Sequence, residues 1–146
     1  MPNTWLSLET LALVTTAGVF GAILFFSVVV TPVAFIKLPA EQAGAYIRAV
    51  FPWYYLWLIV FAAVAAFAFV WRHPIKAALA ALIVALSAVA RLGLMPRLNR
   101  LRDPAKAGDP EAGRGFRRLH RISVALNLVS LAASTAALTR FIAGLS

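Results

Sequence analysis

Four apolar runs, each long enough to cross a lipid bilayer, constrain this chain more than any other feature. They extend from about Leu8 to Ile36, Trp53 to Trp71, Ala77 to Met95 and Ile122 to Ala143. At 1.5 Å per residue, ~20 residues span the ~30 Å hydrocarbon layer. Within that layer the backbone must satisfy its own hydrogen bonds, so runs of this length are read as helices. The expected fold is all-α: an integral membrane four-helix bundle, one transmembrane domain over residues 1–146. Composition agrees, with 62% of residues hydrophobic and 13% charged, against ~45–50% and ~25% in a soluble domain. A water-soluble enzyme or binding module is therefore close to excluded. Met1 to Ser7 contains no Lys or Arg, and the first run is too long for a signal peptide core, so it is expected to stay in the mature protein.

The connections differ in kind. Trp71-Arg72-His73-Pro74-Ile75-Lys76 reads as a tight turn, which makes the second and third helices antiparallel neighbours. Pro32 and Pro39 punctuate the first connection, and Pro52 suits the first turn of the second span. Leu38 to Val50 reads as a short interfacial helix between them. The polar stretch from Arg97 to Arg121 is expected to be a loop, broken at Asp103-Pro104 and Gly108-Asp109-Pro110. Trp5, Trp53, Tyr54, Tyr55, Trp57 and Trp71 fall near the expected span ends, where amphipathic rings prefer the headgroup level.

The net charge of +9 becomes intelligible once it is placed along the chain. Ten of the 14 Lys and Arg residues follow the first and third spans, three lie on the other side, and Arg91 sits inside the third span. The positive-inside rule then puts the 97–121 loop in the cytoplasm and both termini outside it, as expected of a multi-pass protein of the cell inner membrane. Arg114, Arg117, Arg118 and Arg121 recur at helical spacing on one face and are expected to contact anionic lipid headgroups. Membrane lipids are the expected partners. Nucleic acid is not, because the basic cluster is tied to a membrane and lacks a recognition fold.

Chemistry has few places to reside. The chain has no cysteine, which removes thiolate metal sites and cysteine nucleophiles. No phosphate loop, GxSxG, HExxH or pair of carboxylates within a span is present. His120, Ser123, Asn127, Ser130 and Ser134 do form one stripe on the fourth span. A polar stripe turns away from lipid, either to hydrogen-bond a neighbouring helix or to line a pocket. Arg91 either snorkels to the interface or faces the bundle. The candidate ligand-binding residues are thus Arg91, His120, Ser123 and Asn127, in a polar pocket between the third and fourth spans. His120 with Met95 is the one pair able to hold Cu(I) or a haem iron, but no cofactor is expected. No catalytic residue stands out.

Several loop residues resemble a known family. Gly21, Pro32-Val33-Ala34-Phe35, Leu38-Pro39, Ala43-Gly44 and Phe51-Pro52-Trp53-Tyr54 resemble the transmembrane-protein-205-like family, also described as a bacterial domain of unknown function. Pro96, then Phe116-Arg117-Arg118-Leu119-His120-Arg121-Ile122-Ser123 and Asn127-Leu128, look like that family's later segments. The resemblance implies four membrane helices, and distant similarity to copper resistance protein D-like and HemJ-like protoporphyrinogen oxidase proteins. Three functions are expected: small-solute or metal transport or handling, from the polar stripe beside Arg91; haem- or porphyrin-linked redox work using His120, which the resemblance implies; or a non-catalytic membrane interaction subunit that binds through its basic loop. A chain this short leaves little room for a private aqueous path, so transport implies a homo-oligomer.

Overall fold

A computed structural model describes residues 7–143, so Trp5 lies outside the described residues. Every element in it is helical. The first apolar run forms α1 (Leu8–Phe25), a π-helical turn (Phe26–Val30) and α2 (Thr31–Lys37), which follow one another without interruption. Then come α3 (Ala40–Phe69), α4 (Pro74–Val89), a second π turn (Ala90–Leu94), α5 (Met95–Lys106) and α6 (Pro110–Ala143). Four rods result, each long and apolar enough to cross a bilayer: Leu8–Lys37, Ala40–Phe69, Pro74–Lys106 and Pro110–Phe141. The protein is a multi-pass membrane protein.

The rods make a four-cornered ring. α3 packs on α1 and α4, while α6 packs on α4 and closes back onto α1, leaving α3 and α6 on a diagonal. The buried centre contains Val19 and Ile23 of α1, Leu58 and Ala62 of α3, Ile83 of α4 and Ala133 of α6. Gly18 belongs to the same packing: a Cβ there would meet the Phe61 ring at 2.9 Å. Close backbone approach of this kind is how helices associate in lipid. Elsewhere the outer surface is apolar, with Val28, Trp53, Phe67 and Leu92 all exposed.

The basic connections are more helical than their sequence predicts. Leu38 to Val50 is not a separate interfacial helix, because α3 starts at Ala40 and runs through Pro52 into the second span. Proline removes one intrahelical bond, and here the rest of a 30-residue helix carries the break. The polar stretch 97–121 is likewise no loop. It splits between α5, which tolerates Pro104, and the start of α6. The turn is confined to Ala107–Asp109, where Gly108 takes φ +92°, a left-handed conformation natural to glycine. Asp109 caps α6, its carboxylate accepting from the backbone N–H groups of Glu111 (2.8 Å) and Ala112 (3.2 Å).

Two π turns share one design. Phe26–Val30 precedes Thr31-Pro32, and Ala90–Leu94 precedes Met95-Pro96. A proline ring crowds the carbonyl four residues back and offers it no donor. Widening the preceding turn shifts the hydrogen-bond register, so that Thr31 N–H reaches Phe26 O and Met95 N–H reaches Ala90 O. Such turns are known sites of helix bends and of function. Below the first of them α2 stays packed on α3 and makes no comparable pairing with α6. The first and fourth rods, in contact through α1 and α6, therefore part towards the basic end.

Candidate functional site

That parting leaves a cavity of about 840 Å³, well within the size of small-molecule sites. The first rod contributes Ile23, Phe26 and Val28, and α6 contributes Val124, Leu128 and Leu131. Leu24, Val28, Phe35, Val124 and Leu128 line the cavity and are also exposed on the outer surface. Its side opening therefore faces the lipid-facing surface of the bundle.

Polar groups sit at two levels. The inner level joins α3 to α6 across the diagonal of the ring. Tyr54 Oη donates to Asn127 Oδ1 at 3.0 Å, and the Tyr55 and Ser123 hydroxyls meet at 3.4 Å. Both tyrosines are buried among aromatic rings, Tyr54 stacking on Phe26 at 4.5 Å and Tyr55 on Phe51 at 5.6 Å. These two are not the interfacial anchors their sequence position suggests. α3 begins at Ala40, well before them, which places them inside the rod, while Trp53 and Trp57 keep exposed positions.

The outer level is cationic. Arg48 of α3 and Arg102 and Lys106 of α5 line the basic end of the cavity, with Asn99 and His120 beside them. Arg102 Nη1 donates to Gly44 O at 2.6 Å, and its guanidinium fills the space a Cβ on Gly44 would need. Arg48 Nη2 lies 3.7 Å from Asp103 Oδ1. The Arg48 Nε–H is shielded from solvent and has no hydrogen-bond partner among the described residues.

His120, Ser123 and Asn127 all line this cavity, together with Met95. Of the rest of the stripe, Ser130 and Ser134 are fully buried, and Ser134 donates to Leu131 O at 2.9 Å. Arg91 does not join them. Ala90 and Leu94 are the buried members of its π turn and Leu92 is fully exposed, so Arg91 stands at the flank of the third rod, outside the cavity wall. The cavity consequently lies between the first rod, α3, α5 and α6, rather than between the third and fourth spans alone. Arg114, Arg117, Arg118 and Arg121 are exposed and do not line it, and Arg114 pairs with Glu111 at 3.8 Å. Sequence reasoning missed Tyr55 as a cavity-lining residue, Tyr54 as the side chain that holds Asn127, and Arg48 and Arg102 as more than topology signals.

The donors present do not make a metal centre. Among the described residues no three His, Asp or Glu side chains gather. His120 and Met95 add one imidazole and one thioether to the cavity wall, short of a complete site for copper or haem iron.

At the opposite end Glu9 pairs with Arg72 at 3.4 Å on the surface. Lys76 is buried there against the rings of Phe141 (4.8 Å) and Phe69 (5.4 Å). A smaller, open hollow is lined by Arg72, His73, Lys76 and Arg140.

Fold and cavity together define a class: multi-pass helical membrane proteins with a laterally open, largely apolar cavity whose cationic residues cluster at one end. Within that class, the chain belongs to the family described as a domain of unknown function, DUF4149, which it matches over residues 14–107. The match takes in Tyr54, Tyr55, Arg48 and Arg102 and stops short of His120 and Asn127. No curated protein and no solved structure matches the chain. Nothing in these comparisons supports a relationship to transmembrane protein 205, copper resistance protein D or HemJ.

Proposed function

We propose that this protein is a solute-handling membrane protein whose ligand is an amphiphile drawn sideways from the lipid leaflet at its basic end. The observation that carries the reading is the shape of the cavity: about 840 Å³, apolar along its length, framed by exposed Val28, Val124 and Leu128, and polar at two levels. A water-soluble solute would find few partners on such walls, whereas an acyl or prenyl chain exchanges one apolar surrounding for another. The Tyr54–Asn127 and Tyr55–Ser123 bonds fix the inner wall, and the cations hold the polar end of the molecule. The cavity lies within one chain, so this handling needs no second copy.

The same proposal places the basic end in the cytoplasm of an inner-membrane protein, with Arg114, Arg117, Arg118 and Arg121 on anionic headgroups. We also propose kinship with the transmembrane-protein-205-like group, on matching residues such as Pro32, Gly44 and His120.

Retention of lipid tests the reading. Purified protein washed in mild detergent should keep about one amphiphile per chain, and Val124→Trp/Leu128→Trp, which fills the opening, should lose it. Equal retention by the wild type and the filled variant in native mass spectra would count against the proposal. A second reading, haem- or porphyrin-linked redox work, draws on His120 and Met95 sharing the cavity wall. It requires a Soret band that His120→Ala abolishes, and colourless protein from haem-replete cells removes it.

A further inference from the structure

We infer that Arg48 and Arg102 form a phosphate site, that the amphiphile held in the cavity is an anionic phospholipid, and that Asp103 occupies Arg48 until the headgroup arrives. The inference rests on the proposed amphiphile cavity and adds the chemistry of its ligand.

Three observations converge on it. Arg48 Nε–H is buried without a partner on a residue that lines the cavity, and a shielded donor of this kind is costly unless an acceptor satisfies it. Its Nη2 faces Asp103 at 3.7 Å, too long for a strong charge-assisted bond, which runs nearer ~2.8 Å. The Asp103 side chain is 73% exposed, and exposed ion pairs of this type hold weakly. Asp103 is therefore a displaceable anion beside a donor still waiting for one.

Arg102 is held differently. It sits over Gly44, one helical turn before Arg48 on the same face of α3, and its Nη1 is engaged by Gly44 O. The glycine gives the guanidinium its seat, since any Cβ there would displace it. Two arginines, one from α3 and one from α5, thus line the same end of an apolar cavity. Arginine's planar fork matches phosphate oxygens in pairs, and the apolar walls accept the chains behind the head. A pair set in the cavity wall differs from the exposed row of Arg114, Arg117, Arg118 and Arg121, which can attract anionic headgroups only as a surface field.

The test uses full-length protein in nanodiscs and native mass spectrometry, with phosphatidylglycerol and phosphatidylcholine of identical chains as probes. Wild type should retain phosphatidylglycerol about tenfold better, the factor expected from one additional charge-assisted bond. Arg48→Gln/Arg102→Gln should bind both lipids equally while still binding. Gly44→Ala, which moves the Arg102 guanidinium without changing charge, should reduce the preference. Asp103→Asn should increase it, an outcome that a purely structural ion pair would not give. Arg72→Gln, at the opposite end of the bundle and outside the cavity wall, should leave the preference unchanged.

Equal retention of the two lipids by wild type, unchanged in Arg48→Gln/Arg102→Gln and in Asp103→Asn, overturns the phosphate site and leaves the amphiphile cavity standing. Retention of neither lipid overturns the cavity reading itself. Displacement by glycerol 3-phosphate at the concentrations that bind phosphatidylglycerol would assign the site to a soluble phosphate and overturn the lipid.

Discussion

Tyr54 and Tyr55 are adjacent in sequence, and each finds a hydroxyl or amide on α6, the rod diagonal to their own. Only a long side chain with a terminal donor can span that distance, so tyrosine here is a cross-brace as well as a core aromatic. Tyr54→Phe removes one interhelical bond and keeps the ring stack, and it should cost about 0.6–1.7 kcal/mol, the range for such bonds in membrane proteins. Asn127→Ala should cost more, up to ~3 kcal/mol, because it strands a buried hydroxyl. Reversible unfolding in detergent micelles measures both. A double variant no worse than Asn127→Ala alone would identify the 3.0 Å bond as the shared loss. At this scale the sequence reveals half of the pair. The stripe of His120, Ser123 and Asn127 announces itself by helical spacing, but nothing in the string Trp53-Tyr54-Tyr55 says which ring turns inward. That depends on where α3 begins, and the start of α3 is hidden by Pro52, which reads as a boundary and is not one.

The elements show the same asymmetry between what is periodic and what is packed. Apolar runs set the four rods within a residue or two at several of their ends, since lipid imposes length directly on sequence. Polar helices have no such signal. α5 and the first turns of α6 are rich in Arg and contain Pro and Gly, and they read as loop because their helicity comes from packing of α5 on α6. Leu101 against Gly115, where a Cβ would come within 3.0 Å, is one such contact. The hairpin between them depends on three residues, Ala107, Gly108 and Asp109. Asp109→Ala removes the cap from α6 and should destabilise its first turn by ~1 kcal/mol. Gly108→Ala places a Cβ on a left-handed residue at a cost of ~1–2 kcal/mol. Hydrogen exchange over residues 110–115 should accelerate about fivefold or more in either variant, with exchange in α4 unchanged. Because this hairpin carries both Arg102 and His120 to the cavity, lipid retention should fall in step. Unchanged exchange in both variants would show that packing on α5 alone holds the turn.

At the scale of the whole molecule, charge and cavity select the same end. Ten of the 14 Lys and Arg residues lie beyond the first and third spans, and the cavity opens at that end, where Arg48, Arg102 and Lys106 stand. On the proposed function, orientation decides which leaflet would supply the ligand. The chain is well suited to a direct measurement, because it has no cysteine and a single introduced thiol reports alone. Ala107→Cys samples the basic hairpin and Ile75→Cys the turn at the opposite end, both at exposed positions. A membrane-impermeant maleimide added to intact cells should label Cys at position 75 and leave position 107 unlabelled until the membrane is opened. Ten against three is a strong bias on the positive-inside rule, so labelling in one orientation only is expected. The reverse pattern would move the cationic site to the outer leaflet and leave its geometry intact. Labelling of both positions in intact cells would mean that the population inserts both ways. If the expected pattern holds, the proposed lipid site would draw on the cytoplasmic leaflet, whose anionic lipids attract basic residues near the surface at ~1 kcal/mol each. The residues that orient the protein would then also gather its ligand.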